Sequence, residues 1–208
     1  MEIVDLDEQL QDELLKIDPE LNGTYHSRRK LHSLYCWTWL ETLHHAVSFL
    51  SKDSVIVDLG CGSGLWLAQL AARGFTNLHG TDASQDILDT AQALSSAMGY
   101  DIKFTLDGTL NVPQSPADMV TVFGWAESCK IDGHLLSHLE FTERITPQLA
   151  VGGKLSVEWY CDEDVRRPQR TYLKGQEPVV DSRLEEALKM TRKFKGREIA
   201  LYIYQRTS

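Results

Sequence analysis

One segment restricts the possible folds of this chain more than any other, because in it an apolar strand runs directly into a glycine-rich turn. The segment reads Val-Ile-Val-Asp-Leu-Gly-Cys-Gly-Ser-Gly over residues 55–64. Alternate glycines let the backbone turn sharply and let a ligand approach where a Cβ would clash. Residues 65–72 are mostly apolar and are typical of a helix that leaves this turn. A strand, a glycine turn and a helix in this order predict an α/β fold that binds a polar ligand at the turn.

A dinucleotide site is the main alternative for a glycine turn of this kind. The dinucleotide pattern has glycines at the first, third and sixth positions of the turn, but the sixth position here is Leu65. Asp58 lies beside the turn, where its carboxylate would repel a diphosphate but could accept hydrogen bonds from an ammonium group. The turn therefore predicts a cationic ligand rather than a diphosphate.

From residue 54 onward, the pattern of the sequence changes to an alternation of segments that suit strands with longer segments that suit helices. This alternation predicts a parallel sheet with helices on both faces. The predicted strands are 54–59, 77–81, 101–106, 117–123 and 153–160. The predicted helices between them are 64–73, 84–97 and 132–146. After a long loop, we expect a short helix over Ser182 to Ala187 and then a hairpin with strands 188–194 and 199–204.

Two predicted helices precede this pattern, an amphipathic one over 2–17 and a longer one over 28–50. We therefore expect residues 1–50 to form a helical cap or lid on a ligand-binding domain of residues 51–208, in one compact protein. Residues 1–21 carry eight acidic side chains and one lysine. The acidic face of the first helix predicts either a solvated surface or a docking element for a partner.

The composition argues against several classes of function. A length of 208 residues with 42% hydrophobic residues suits one globular domain. The formal net charge of -9 disfavours a nucleic-acid partner, because phosphate contacts need a basic surface. The chain has an acidic start and no uncharged apolar run of about 18 residues, so we expect a cytoplasmic protein with no membrane span. Its four cysteines form no Cys-x-x-Cys pair, which argues against a zinc site and a disulfide framework.

Ligand-facing residues of a parallel sheet are expected where the strands end. Four positions meet this condition: Asp58, Asp82, Asp107 and Phe123. A carboxylate at the end of the second strand can accept two hydrogen bonds from the hydroxyls of a ribose, and Asp82 is the candidate for that role. Alternatively, Asp82 serves only as the N-cap of the helix that starts near Ser84.

The glycine turn and the acids that follow it resemble the motifs of the class I S-adenosylmethionine (AdoMet) dependent methyltransferases, over about residues 54–160. The resemblance implies a single three-layer αβα domain, with a mostly parallel twisted sheet of about seven strands in the order 3-2-1-4-5-7-6 and a closing antiparallel hairpin. It implies AdoMet as the cofactor and S-adenosylhomocysteine as the product. It also implies that Asp107 meets the adenine amine and that the Gly108 amide meets a ring nitrogen. The implied cofactor-binding residues are Asp58, Gly60, Cys61, Gly62, Asp82, Ala83, Asp107, Gly108 and Phe123.

Methyl transfer is an in-line displacement that needs positioning, exclusion of water and, for some acceptors, removal of a proton, and it requires no metal. Candidate acid-base residues lie just past the fourth predicted strand: Glu127, His134 and His138. The two histidines are four residues apart on the predicted helix and share a face, which also suits a solvent-exposed surface. Three aromatic residues are candidates for binding the acceptor, or for core packing: Tyr25, Trp125 and Trp159.

The segment Phe123-Gly124-Trp125-Ala126 departs from the Asn/Asp-Pro-Pro-Tyr/Phe pattern of the family members that methylate amino groups of nucleic acids or glutamine. We therefore expect a small-molecule acceptor, such as a natural product, an aromatic compound or an amine, and no nucleic-acid partner. A peptide or protein acceptor is one alternative. Another is an AdoMet-binding protein that catalyses a different reaction. A third is a modifier of macromolecules that docks its partner through the acidic N-terminal helix.

Overall fold

The structure of the chain is a computed structural model. It describes residues 9, 12, 13, 16, 17, 36–124, 126, 129–161, 173, 176–194 and 197–208, apart from the side chains of 36–40, 47, 194 and 197. Two compact units make up the chain, Met1–Gly108 and Thr109–Ser208. Because nearly all of residues 1–35 lie outside the described part, the division into a cap of residues 1–50 and a domain of residues 51–208 stays a prediction.

The first unit contains three parallel strands that alternate with helices. Its elements are, in chain order, α1 (Cys36–Phe49), β1 (Ile56–Leu59), α2 (Leu65–Ala71), β2 (Leu78–Asp82), α3 (Gln85–Ala97) and β3 (Ile102–Leu106). Strand β2 lies between β1 and β3, and it is parallel to both. The five elements predicted between residues 54 and 106 are confirmed, with bounds that differ by at most two residues.

The two predicted N-terminal helices are described in part. Helix α1 confirms the second of them along the described part of its predicted range, 28–50. Of the first, predicted over 2–17, the five described residues are helical. Among the helices of the described residues, none is both long enough and apolar enough to cross a membrane.

The second unit combines a parallel pair of strands with an antiparallel hairpin. Its elements are, in chain order, β4 (Ala117–Val122), β5 (Lys130–Ile131), β6 (His134–Leu135), α4 (His138–Ile145), β7 (Leu149–Tyr160), β8 (Leu184–Phe194) and β9 (Arg197–Arg206). Strand β4 is parallel to β7, whereas β7 is antiparallel to β9, and β9 pairs in turn with β8. Strands β8 and β9 form the predicted closing hairpin.

The strands of the two units account for the predicted architecture, a mostly parallel sheet of seven strands with helices and a C-terminal antiparallel hairpin. Within the units, the strand orders are β3-β2-β1 and β4-β7-β9-β8. These numbers differ from the predicted 3-2-1 and 4-5-7-6 because the short hairpin β5–β6, which forms a separate two-stranded sheet, adds two strands to the count. With those two strands left out, both orders are the predicted ones.

The helix predicted over 132–146 begins later than expected, at the start of α4. The preceding residues form the hairpin β5–β6, whose turn holds Asp132 and Gly133 at φ of 51° and 79°. An Asp-Gly pair accepts such left-handed angles in a two-residue turn. The side chain of Ser137 then accepts a hydrogen bond from the Glu140 amide, and the Glu140 carboxylate accepts one from the Ser137 amide. This capping box fixes the start of α4.

The short helix predicted over Ser182 to Ala187 is wrong. Strand β8 begins inside this range and pairs with β9, with a bulge between Glu186 and Leu188. Glu185, Glu186 and Ala187 have good helix propensity, but pairing with β9 satisfies the backbone groups of this segment. Tertiary context therefore overrides the local preference. The hairpin itself is confirmed, and both of its strands are longer than predicted.

Gly80, in the middle of β2, lets three groups meet over that strand. A Cβ at this position would lie 2.7 Å from Cys61 Sγ and 2.9 Å from both Leu67 Cδ1 and Phe104 Cδ1. These distances are well below van der Waals contact, so no side chain fits there without movement of its neighbours. The absence of a side chain at Gly80 therefore lets the side chains of Cys61, Leu67 and Phe104 pack directly over β2.

In the second unit, α4 packs on β7 through a cluster of rings around Trp159. The side chain of Trp159 is 1% exposed, and the rings of His138 and Phe141 meet it edge-on at centroid distances of 4.4 and 5.2 Å. Burial lowers the pKa of His138 to about 4. His138 is therefore neutral at neutral pH, because a charged imidazole would lose its hydration in this environment.

Replacing Gly80 by alanine should lower the free energy of unfolding by about 1–3 kcal/mol, the usual cost of overpacking in a close-packed core. Urea unfolding measures this change. Because Cys61 Sγ is the nearest of the three groups, the double variant Gly80→Ala with Cys61→Ala should cost less than the two single variants together. Additive costs, or a Gly80→Ala variant as stable as the parent, would contradict the packing.

Acid should destabilise the protein through His138 as the pH falls from 6.5, the ordinary pKa of histidine, to about 4. In this window the unfolded chain protonates His138, whereas the folded state keeps it neutral. Unfolding therefore takes up protons, and stability is lost as the pH decreases. In urea unfolding at several pH values, His138→Gln should reduce this proton uptake by up to about one proton.

His134→Gln is the matched control for this measurement. The side chain of His134 is 68% exposed, so its replacement removes a histidine from the surface and leaves the ring cluster around Trp159 intact. An equal change in both variants would show that the burial of His138 is not the cause.

Candidate functional site

The glycine turn after β1 is held in shape by its own left-handed backbone and by bonds to β2. Gly60, Gly62 and Gly64 have φ of 72°, 55° and 74°, which only glycine adopts at little cost. The amide of Cys61 donates to the carbonyl of Thr81 at 2.8 Å. Gly64 is the N-cap of α2, and a Cβ there would lie 3.1 Å from the Phe104 ring. The turn therefore runs directly into α2, as the sequence predicts.

Asp82, the predicted ribose ligand, lies at the end of β2 and is bonded through both carboxylate oxygens. Its Oδ2 accepts a hydrogen bond from the Gly62 amide at 3.1 Å, and its Oδ1 accepts one from the Ser84 amide at 3.0 Å. The N-cap of α3 is Ser84, not Asp82. The alternative that Asp82 is only a helix N-cap is therefore wrong, because its side chain also reaches the glycine turn.

Asp58 and Cys61 form the buried base of this turn. Asp58 is 3% exposed and Cys61 is 8% exposed. Burial raises the pKa of the Cys61 thiol, and the nearby carboxylates of Asp58 and Asp82 raise it further. The thiol is therefore protonated, and its Sγ lies 3.6 Å from the carbonyl oxygen of Gly62. Cys61 thus acts here as a packed, uncharged side chain.

The ends of β2 and β3 come together beside Asp82. The Asp107 amide donates to the carbonyl of Asp82 at 2.9 Å. A Cβ at Gly108 would lie 3.0 Å from the Cβ of Ala83, so the small size of both residues permits this approach. The first unit therefore brings together eight of the nine predicted cofactor-binding residues: Asp58, Gly60, Cys61, Gly62, Asp82, Ala83, Asp107 and Gly108.

Two further residues shape this site without having been predicted to do so. Gly80 allows the close approach of the glycine turn to β2. A glycine inside a strand is a sequence signal for close approach of another backbone, and it could have been used. Leu106 is 55% exposed although it is large and apolar, and it directly precedes Asp107 at the end of β3. No pattern in the strand distinguishes this leucine from a core residue.

The remaining predicted site residues belong to other parts of the chain. Phe123 directly follows β4 in the second unit and is 9% exposed. Tyr25, Trp125 and Glu127 lie outside the described residues. The side chain of Trp159 is buried in the ring cluster of β7 and α4. The roles assigned to these residues stay predictions.

The prediction that His134 and His138 share one face of a helix is wrong. His134 lies on β6, where its Nε2 is 3.3 Å from the Glu140 carboxylate, whereas His138 begins α4. The Nε2 of His138 is buried, and it has no hydrogen-bond partner within the part of the chain that the structure describes. Among the described residues, no group of three His, Cys, Asp or Glu side chains could hold a metal ion.

Known proteins share sequence with parts of this chain. A family model described as a methyltransferase domain matches residues 56–139. Human methyltransferase-like protein 27 is 30% identical over 104 residues, which are 50% of this chain and 42% of that protein. The tRNA U34 carboxymethyltransferase of Vibrio cholerae is 27% identical over 157 residues, which are 72% of this chain and 46% of that protein. The chain thus spans less than half the length of these two relatives.

Solved structures share its fold over a greater length. The N-methyltransferase NodS from Bradyrhizobium japonicum, solved in complex with S-adenosyl-L-homocysteine, has a TM-score of 0.62 to this chain at 16% identity. The match covers 98% of this chain and 99% of NodS. At this identity the likeness concerns the fold, and the methyltransferase-domain match adds the segment that holds the glycine turn, Asp82 and Asp107. Residues 56–139 thus resemble a methyltransferase domain, and the chain has the fold of class I S-adenosylmethionine-dependent methyltransferases.

Proposed function

We propose that this chain is an AdoMet-dependent methyltransferase that transfers a methyl group to a small-molecule acceptor. The proposal depends on one observation in the first unit, where Asp58, Asp82 and Asp107 lie at or next to the ends of three parallel strands, beside a turn of left-handed glycines. Such a turn admits an extended ligand, and carboxylates suit its ammonium group, hydroxyls and amine. The similarity to methyltransferase domains over residues 56–139 supports the same reaction.

The polar groups of the first unit fit AdoMet in their chemistry. Asp58 is the candidate acceptor for the ammonium group of the methionine part. Asp82 is the candidate for the ribose hydroxyls, because a carboxylate has lone pairs beyond the two that accept the amides of Gly62 and Ser84. Asp107, with the amide of Gly108, is the candidate for adenine. AdoMet bound there would supply an electrophilic methyl group on a sulfonium.

The protein's own work in such a reaction is to position the acceptor and, for a hydroxyl or amine, to receive its proton. His138 is the best supported candidate, because its buried Nε2 has no partner within the described part of the chain and its ring is neutral. A pKa of about 4 makes His138 a weak base, which suits orienting the acceptor group better than removing its proton completely. His134 is exposed and lies beside Glu140, which favours a surface role for it.

Residues that would bind the acceptor are proposed from sequence. Tyr25 and Trp125 supply aromatic faces that suit a flat compound or an amine. Glu127 is kept as a candidate acid-base residue. Trp159 is 1% exposed, so its contribution is better understood as support for the His138 ring.

A nucleic-acid acceptor is the second candidate, and one observation favours it. The relative that matches the larger share of this chain, 72%, is named as a tRNA carboxymethyltransferase. The net charge of -9 opposes this candidate, because tRNA binding needs a basic surface. A peptide or protein acceptor, and a reaction that uses bound AdoMet without consuming it, are further candidates.

Calorimetric titration should show that the protein binds AdoMet and that Asp82→Ala weakens binding by at least about tenfold, because hydrogen bonds to a charged group contribute about 1.5–3 kcal/mol. Asp101→Ala is the matched control, since it removes the same charge from an exposed position that precedes β3 in the same unit. Its dissociation constant should stay within about twofold of the parent. No detectable binding of AdoMet would refute the proposed function.

Incubation with AdoMet carrying a labelled methyl group should identify the class of acceptor. With separate pools of small molecules, tRNA and protein, we expect label in the small-molecule pool and one S-adenosylhomocysteine for each labelled methyl group. Label that ribonuclease releases from the tRNA pool would favour the nucleic-acid candidate instead. Substrate turnover without S-adenosylhomocysteine would favour a reaction other than methyl transfer.

A further inference from the structure

The carboxylate of Asp82 holds two backbone amides that belong to different loops. It accepts one hydrogen bond from Gly62 at 3.1 Å and one from Ser84 at 3.0 Å, each on a different oxygen. Gly62 is in the middle of the glycine turn after β1, whereas Ser84 is the N-cap of α3 after β2. One side chain therefore connects the two loops that carry most of the proposed cofactor contacts.

The glycine turn needs such an anchor because of its backbone. Three of its glycines are left-handed, and glycine loses more conformational freedom on ordering than any other residue. Main-chain bonds hold both sides of the turn, since the Cys61 amide donates to Thr81 at 2.8 Å and the Gly64 amide donates to Cys61 at 3.0 Å. Between them, the amide of Gly62 donates to the side chain of Asp82. The middle of the turn thus depends on a side chain from the next strand.

The same carboxylate has acceptor capacity left over. An ionised carboxylate offers about four lone-pair sites, and the two amides take one site on each oxygen. One site remains on each oxygen, so holding the two amides leaves the carboxylate able to accept further hydrogen bonds. Asp82 is only half-buried, so these sites are within reach of a ligand.

We infer that Asp82 is a positioning residue that holds the glycine turn in its ligand-binding shape before any cofactor arrives. That this shape binds a ligand rests on the proposed function, whereas the anchor itself concerns the cofactor-free protein alone. A carboxylate is required to hold both amides at once. Asparagine has one acceptor oxygen, and its NH2 group cannot accept a hydrogen bond from Gly62 or Ser84.

Hydrogen exchange of individual amides in the cofactor-free protein tests the inference directly. In Asp82→Ala, the Gly62 amide should exchange at least about tenfold faster than in the parent, because its acceptor is lost. In Asp82→Asn, the amide of Gly62 or that of Ser84 should lose protection by a similar factor. The Cys61 amide, which bonds a main-chain carbonyl, is the internal reference and should change little.

Asp107→Asn is the matched control variant. Asp107 is a proposed cofactor contact at the next strand end, so its replacement should weaken AdoMet binding without accelerating exchange at Gly62. Should the Asp82 variants fail to fold, a scalar coupling across the hydrogen bond, between the Gly62 amide nitrogen and the Asp82 side-chain carboxyl carbon, provides the same test in the parent protein. Observation of this coupling supports the anchor, and its absence overturns it.

The outcomes separate the anchor from the proposed function. Faster exchange at Gly62 in Asp82→Ala, in a protein that does not bind AdoMet, would support the anchor and refute the function. Normal AdoMet binding by the parent, with unchanged exchange at Gly62 in Asp82→Ala, would support the function and overturn the anchor. Equal acceleration at Gly62 in Asp107→Asn would also overturn it, because the effect would then not be specific to Asp82.

Discussion

The missing side chain at Gly80 is the constraint on which the first unit depends. It allows the side chains of Cys61, Leu67 and Phe104 to meet over β2, and so it permits the glycine turn and α2 to lie close against that strand. The Cys61 amide donates a hydrogen bond to Thr81 in the same region. The short reach of an aspartate then suffices for Asp82 to contact Gly62. Packing in the core therefore determines the polar geometry at the surface of the same unit.

Local patterns along the sequence predicted the first unit well, and the physical reason is specific. Strand β1 belongs to a short apolar run, and the helices that follow β1 and β2 each start at a turn with a clear chemical signal, the glycines before Leu65 and Ser84 before Gln85. The acids at the strand ends could be recognised because parallel strands present their carboxyl ends at one edge. The pattern did not indicate which distant residue each of these acids bonds to. The bond between Asp82 and Gly62 joins residues 20 positions apart, and no periodicity indicates it.

The second unit was predicted less well because long-range pairing and short polar signals compete there with helical spacing. The pair Asp132-Gly133 forms a turn inside a segment whose apolar spacing suits a helix, so His134 lies on a strand instead of beside His138. Glu185 to Ala187 favour a helix by propensity but belong to β8 because β9 offers them a partner. The chemical identity of an acceptor depends on side chains whose contacts are not encoded by local pattern. For this reason the positions of the proposed cofactor-binding residues at the strand ends could be predicted from sequence, whereas the contacts of the proposed acceptor-binding residues could not.

The protonated state of Cys61 has a consequence for chemical reactivity. Thiolates, not thiols, react readily with peroxides, disulfides and alkylating compounds. Burial and two neighbouring carboxylates raise the pKa of Cys61, so the reactive form is suppressed at the very turn proposed to hold the cofactor. A protein with this arrangement keeps the compact, polarizable packing of sulfur at its ligand site without making that site sensitive to oxidants. Electrophilic compounds that reach this turn should react slowly with Cys61, because its thiol is kept protonated.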